Sequence, residues 1–133
     1  MFKSYANYNE NTSPWINYYY PNNNLCAVAY VKGGSLRPDI QGTVWFKDVA
    51  GGTEICADIC GLPPYHPATN SNAPIGPHGF HLHECGNCDV GDPENPFQAA
   101  GGHWNPNNQP HGNHAGDFPV LFSNNGYTKT CFY

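Results

Sequence analysis

The chain has 133 residues, a length suited to a single domain with one hydrophobic core. Its formal net charge of −5 argues against nucleic acid as a partner. No window approaches the roughly 18 consecutive apolar residues of a membrane helix, so no contact with a membrane is expected.

Residues 1–24 differ in composition from the rest, because they hold seven asparagines and five of the nine tyrosines. We interpret them as an N-terminal extension draped over the surface, or alternatively as an added strand around residues 15–20. The start, MFKSYANYNE, lacks the apolar segment of a secretory signal, which makes the cytoplasm the default expectation. Six cysteines favour an oxidising compartment instead, and the location stays open.

From Leu25 onward, short apolar runs alternate with turn residues, which predicts an all-β fold of the sandwich or barrel type. The predicted strands are residues 25–32, 40–47, 53–59, 78–84, 118–122 and 127–133. Asn125-Gly126 predicts a tight hairpin turn before the last strand. Residues 85–117 form a long stretch almost without apolar runs, and loops of that length are usually functional or disordered.

All seven histidines lie between Val49 and Thr128, together with seven acidic residues and no Lys or Arg. Positive charge in this half must therefore come from protonated histidine or from bound metal, and metal is the more economical interpretation. On the strand predicted for residues 78–84, His81 and His83 share one face while Phe80 and Leu82 point to the core. A lone His-x-His pair is a weak signal, since it also fits a wet outer face.

The long loop strengthens the metal interpretation, because it adds further ligands of the right type. Three histidines and a carboxylate lie within fifteen residues, among Gly and Pro, which is a plausible tetrahedral zinc site. These residues are His103, His111, His114 and Asp117. A loop with so few apolar residues also needs such a tether to hold its shape.

The segments GFHLHECGNC, AAGGHWNP, HG and HAGDFPVLFSNNG resemble the copper/zinc superoxide dismutase family, its bacterial branch most closely. The resemblance covers about residues 25–133, which makes residues 25–133 the dismutase-like domain and residues 1–24 an extension to it. It implies a Greek-key β-sandwich or barrel, immunoglobulin-like and eight-stranded in the family, of which six strands are visible here. A long metal-binding loop completes the implied fold.

The resemblance also implies cofactors, Zn²⁺ and Cu²⁺/Cu⁺, and a substrate, superoxide, which the family converts to dioxygen and hydrogen peroxide. Imidazole suits both metals. The implied copper ligands, which are also the catalytic residues, are His81, His83 and His103. The implied zinc ligands are His103, which bridges the two metals, His111, His114 and Asp117. His78 matches the family's structural histidine, which bonds backbone and binds no metal, whereas His66 matches no ligand.

The six cysteines permit several interpretations. Cys85-x-x-Cys88 is a candidate redox pair, although no βαβ setting supports one, or half of a four-cysteine zinc site with Cys56 and Cys60. The resemblance places Cys88 at the position of the bacterial disulfide cysteine. It also makes the third and sixth strands neighbours, which implies that Cys131 pairs with Cys56 or Cys60.

Some parts of the family pattern have no counterpart before Tyr133. These parts are the seventh and eighth strands, the fourth copper histidine and the arginine that guides superoxide. Arg37 lies in an early turn and is not assumed to replace that arginine. Two functions therefore stay open: superoxide dismutase, and a non-catalytic zinc-binding or copper-carrying protein. A homodimer or a C-terminal fragment is the expected partner that would complete the barrel.

Overall fold

A computed structural model describes residues 2–4 and 25–133, and these residues form an all-β fold. Five strands make one antiparallel sheet in the order β1-β2-β3-β4-β5. They are β1 (Phe2–Ser4), β2 (Leu25–Lys32), β3 (Gln41–Val49), β4 (Gly52–Cys60) and β5 (Tyr127–Phe132), and one 3₁₀ turn spans Gln98–Ala100. Among these described residues no helix is long and apolar enough to cross a membrane.

Strands β2 to β5 confirm four of the six predicted strands, with ends within a residue or two of the expected positions. The turn before β5 is also confirmed. Asn125 has a φ of 51° and Gly126 a φ of 80°. A two-residue hairpin turn needs positive φ at both central residues to match the right-handed twist of its two strands. Asn124 and Tyr127 close this turn with two backbone hydrogen bonds.

The core lies on one face of the sheet, where side chains of alternate residues meet. Ala29, Val44 and Ala57 face each other across β2, β3 and β4 and are all buried. The opposite wall comes from the long connection between β4 and β5. The buried residues of this core are Ala29, Val44, Ile55, Ala57, Ile59, Leu62, Phe80 and Leu121.

The fourth and fifth predicted strands are wrong as regular strands. Residues 78–84 and 118–122 are held by isolated bridges and have no ladder of their own. The bridges are His78 to Leu121, His81 to Asp117 and His83 to His103. Residues 78–82 lie antiparallel to residues 116–121 with a register shift of one residue, and His83 then pairs with His103 instead, so the segment bridges two stretches of chain and forms no regular ladder.

The Cys56–Cys131 disulfide joins β4 to β5, as one of the two predicted pairings had it. The two residues are directly opposed in the register, with Cα atoms 4.1 Å apart. They lie on the sheet face away from the core, next to Trp45. This bond excludes the four-cysteine zinc site, because Cys56 is no longer available as a thiolate. Cys60 and Cys85 are thiols.

The first residues of the chain contribute a strand that the composition did not indicate. Phe2 to Ser4 pair with Val31 to Ala29 along the edge of β2. The strand expected around residues 15–20 lies outside the described residues. Phe2–Ser4 thus pair with the backbone of part of the β2 edge.

Candidate metal centre

The backbone brings the two histidine clusters of the sequence together. Leu82 donates its N–H to the Gly116 carbonyl at 2.9 Å and accepts from the Trp104 N–H at 2.8 Å. Gly116 in turn donates to the Trp104 carbonyl at 2.9 Å. A Cβ on Gly116 would lie 2.5 Å from the Leu82 oxygen, so only glycine permits this approach. The His81–His83 segment therefore lies beside both His103 and Asp117.

Four side chains of the long loop converge into one cluster. The ligand atoms of His103, His111, His114 and Asp117 all lie within 4.8 Å of one another. Tetrahedral zinc with bonds of about 2.0–2.1 Å places its ligand atoms roughly 3.3–3.4 Å apart, so side-chain shifts on the order of 1 Å would close the cluster around the ion. All four residues predicted as zinc ligands are brought together, in the part of the chain that the structure describes.

Asp117 is the electrostatic centre of this cluster. Its Oδ1 accepts from His103 Nδ1 at 2.6 Å, and its Oδ2 accepts from the backbone N–H groups of Gly112 at 2.8 Å and His114 at 3.1 Å. Burial opposes the charge, but these hydrogen bonds outweigh it and lower the Asp117 pKa to about 2. Asp117 is therefore a carboxylate at neutral pH, as a metal ligand must be.

The second observation in favour of a cation is an orphaned nitrogen. His114 Nδ1 is buried and makes no hydrogen bond, although it lies 3.3 Å from Asp117 Oδ2. A buried polar atom without a partner is costly, and a metal ion is a natural partner for an imidazole nitrogen. The residues present thus fit a zinc ion in chemistry, number and position.

His81 and His83 also lie beside His103. The His81 ring stacks on the His103 ring with centroids 3.9 Å apart and planes 21° apart, and the His83 ring is 5.3 Å from His103. The structure groups these two rings around His103 but does not include them in the four-residue cluster. Burial, followed by the neighbouring His103, lowers the His81 pKa below its usual 6.5, which keeps this ring neutral and able to bind metal.

A cleft of about 720 Å³ opens beside these two rings. His81 and His83 are among its lining residues, together with Ala27 and Ala29 of β2. Phe80 lies at the core side of the cleft. A small molecule could therefore reach the His81 and His83 rings from this cleft.

The remaining histidines lie apart from the cluster. His78 Nε2 is 3.0 Å from the Pro63 carbonyl, which agrees with the structural role that the resemblance implied. His66 is exposed, and its backbone pairs with Ile75. Arg37 lies in the turn between β2 and β3, where its guanidinium donates to the Leu36 carbonyl.

Two participants were missed by the sequence reasoning. The Gly101 carbonyl lies 3.0 Å from His83 Nδ1, and the Glu84 carboxylate accepts from the Gly102 N–H at 3.2 Å. A glycine pair directly before His103 was a signal that backbone approaches the histidines closely. The pattern carried no information on which side chain it meets.

Comparison with known proteins agrees with this site. The model of the family described as copper/zinc superoxide dismutase (SODC) matches residues 40–133. A superoxide dismutase (Cu-Zn) 3 of Arabidopsis thaliana is 34% identical over 117 residues, which cover 82% of this chain and 60% of that protein. A superoxide dismutase (Cu-Zn) of Legionella pneumophila is 36% identical over 104 residues, 74% of this chain and 53% of that protein.

A superoxide dismutase (Cu-Zn) of Deinococcus radiodurans is 33% identical over 95 residues, 62% of this chain and 46% of that protein. The chain thus spans about half the length of the curated relatives it matches. No solved structure matches it.

Proposed function

Because the chain belongs to the copper/zinc superoxide dismutase family, we propose that it carries the metal centre of a superoxide dismutase. The reaction converts two superoxide ions and two protons to dioxygen and hydrogen peroxide. Copper would supply the one-electron chemistry when bound, since it has two accessible oxidation states. No observation favours the alternative of a non-catalytic metal-binding protein.

The position of His103 is the observation that carries this proposal. Its ring centroid lies 3.9 Å from that of His81 and 5.3 Å from that of His83, and also 5.3 Å from that of His111 and 5.8 Å from that of His114. A purely structural zinc site needs no histidines beyond its four ligands. The additional pair, His81 and His83, therefore supports a second metal that shares His103.

We assign the residues to two sites on this basis. His81, His83 and His103 would hold copper, and His103, His111, His114 and Asp117 would hold zinc. His103 Nδ1 is bonded to Asp117, 2.6 Å away, which leaves Nε2 as the nitrogen available to a second metal. His103 Nε2 is thus the atom that would hold a proton and deliver it to the peroxide product.

Metal content and superoxide dismutation of the 133-residue chain test this proposal. We expect copper and zinc near one equivalent each, and loss of dismutation in His103→Ala. His66→Ala is the matched control, because His66 is exposed and outside the cluster. A chain that binds zinc, takes up no copper and shows no dismutation would support the non-catalytic alternative instead.

The relative binding affinity of the chain for zinc and for copper is a separate test of the ligand assignment. Four residues of this chain are assigned to zinc and three to copper. Zinc should therefore outlast copper during mild chelation. Copper retained after zinc is gone would contradict the assignment.

The proposal also includes a partner that completes the barrel, either a second copy or a C-terminal fragment. Among the described residues, the backbone groups of Gly79, His81 and His83 make no hydrogen bond, while their neighbours at 78, 80 and 82 do. Unpaired groups at every second residue are typical of an open strand edge. Light scattering tests for a second copy, and intact mass tests for a C-terminal fragment.

A further inference from the structure

One peptide group lies between a carboxylate and a proposed copper ligand. The peptide that joins Gly101 to Gly102 donates its N–H to Glu84 Oε2 at 3.2 Å. Its carbonyl, on Gly101, lies 3.0 Å from His83 Nδ1. In a trans peptide the N–H and the C=O point in opposite directions, so the two contacts hold the same plane from its two sides.

The carbonyl determines the protonation of the His83 ring. A carbonyl oxygen only accepts hydrogen bonds, so Nδ1 must carry the proton and Nε2 must carry the lone pair. The unprotonated Nε2 is the atom that can bind a metal. The orientation of the Gly101–Gly102 peptide therefore selects which His83 nitrogen is available.

This orientation is not secured by the glycines themselves. Gly101 has φ 74° and ψ −165°, a conformation that is essentially restricted to glycine. A Cβ at Gly101 would also lie 2.8 Å from Glu84 Oε2. Glycine is thus required for the carboxylate to approach. Backbone hydrogen bonds hold the neighbouring peptides through the Gly101 N–H and the Gly102 carbonyl, but with no side chain on either residue the plane between them can rotate while those bonds remain. A rotated plane would present the Gly102 N–H to His83 and favour the opposite tautomer.

We propose that Glu84 is a positioning residue that locks the Gly101–Gly102 peptide and thereby sets the tautomer of His83. Its charged oxygen favours the N–H over the carbonyl, since a carboxylate accepts hydrogen bonds and repels another acceptor. The same contact polarises the peptide and strengthens the bond from the Gly101 carbonyl to His83. Carbonyls and carboxylates beyond the ligands orient metal-binding histidines in this way.

The inference rests on the proposed copper role of His83, but its first test needs no metal and no activity. The measurement is the ¹⁵N chemical shift of the His83 ring nitrogens in the metal-free 133-residue chain at pH 8, assigned with His83→Gln. The original protein should show protonated Nδ1. Glu84→Ala should shift the population toward protonated Nε2, whereas Glu84→Gln, which keeps an acceptor oxygen, should stay nearer the original.

Glu94→Ala is the matched control, because Glu94 is an exposed carboxylate of the same loop whose side chain does not contact this peptide. It should leave the His83 tautomer unchanged. Glu84→Asp provides a second variant should Glu84→Ala not fold, because its shorter side chain keeps the charge and loses the contact. An unchanged tautomer in the folded variants, or an equal change in Glu94→Ala, overturns the proposal.

Copper affinity gives a second readout. In zinc-loaded protein, Glu84→Ala should weaken copper binding by about tenfold, the lower end of the usual effect of such supporting groups. Zinc affinity should change less, because no zinc ligand bonds the Gly101–Gly102 peptide. If the original chain binds no copper, the proposed function fails, while the tautomer measurement still decides the role of Glu84.

Discussion

The sheet and the metal-binding loop are built by different means, although they share one chain. Strands β2 to β5 pair in long ladders, and their inner faces bury Val44, Ala57 and Ile59. Residues 101–117 contain one buried residue, Gly116, which has no side chain, and they are held by scattered backbone bonds and the Asp117 carboxylate. The sheet is therefore stable through apolar burial, whereas the loop depends on polar contacts that an ion would complete.

The largest effect is expected where the two regions meet. Phe80 is 3% exposed and contacts Phe118 of the loop and Phe132 of β5, with ring centroids 5.3 and 6.2 Å away. Phe80→Ala should lower the free energy of unfolding by about 3–5 kcal/mol, through lost burial and a cavity. Urea denaturation measures this. Phe122→Ala, at a side chain 73% exposed, should change it by less than about 0.5 kcal/mol.

Removing the disulfide should destabilise the sheet region more than the loop. Cys56 and Cys131 are 75 residues apart in sequence, so the bond restricts the unfolded chain considerably. The double substitution Cys56→Ala, Cys131→Ala should cost about 2–4 kcal/mol. Urea denaturation of oxidised protein measures the loss, and Cys85→Ala is the control. If the double variant is only cleaved faster in the loop and its free energy of unfolding is unchanged, the disulfide does not stabilise the sheet.

Zinc should stabilise the protein through the loop, where all four proposed zinc ligands lie. Zinc added at about 100 times its Kd should raise the free energy of unfolding of the original protein by about 2.7 kcal/mol. Asp117→Ala should lose this response and expose residues 85–117 to protease, while the strand signal in circular dichroism persists. The separate roles of sheet and loop would be contradicted if protease cleaved Asp117→Ala no faster than the original protein, or if Asp117→Ala lost its strand signal.

Acid should weaken the metal-free loop in two stages. The His81 pKa is lowered in the fold, so its contribution to stability is present above pH 6.5 and is lost as the pH falls below that value. The Asp117 pKa falls from 3.8 to about 2, so its contribution is present above pH 3.8 and is lost as the pH falls toward 2.

Both stages are measured by comparing the hydrogen-exchange rates of amides in the loop with those of amides in β3 as the pH is lowered. Asp117→Asn should abolish the second stage only. Equal pH dependence in the loop and in β3 would mean that these two groups do not control the loop selectively.

The sheet was largely predictable because its determinants are local. Alternation of apolar residues and the turn signals at Gly51 and Asn125-Gly126 located β2 to β5, and the family that GFHLHECGNC and HAGDF resemble is confirmed. Residues 78–84 show why the same rule failed elsewhere. Their alternation resembles that of β4, but a regular strand also needs a partner in constant register, and here the register with residues 116–121 shifts by one residue before His83 changes partner to His103.

The sequence by itself determined the all-β class, strands β2 to β5 and the residue types of the metal centre, because periodicity and ligand chemistry are readable along the chain. Tertiary structure alone decided the choice of Cys56 over Cys60, since register sets which residue opposes Cys131. It also decided the pairing of Phe2–Ser4 with β2 and the contact of Glu84 with the Gly101–Gly102 peptide. These features depend on where distant backbone segments meet in space, which no local pattern encodes.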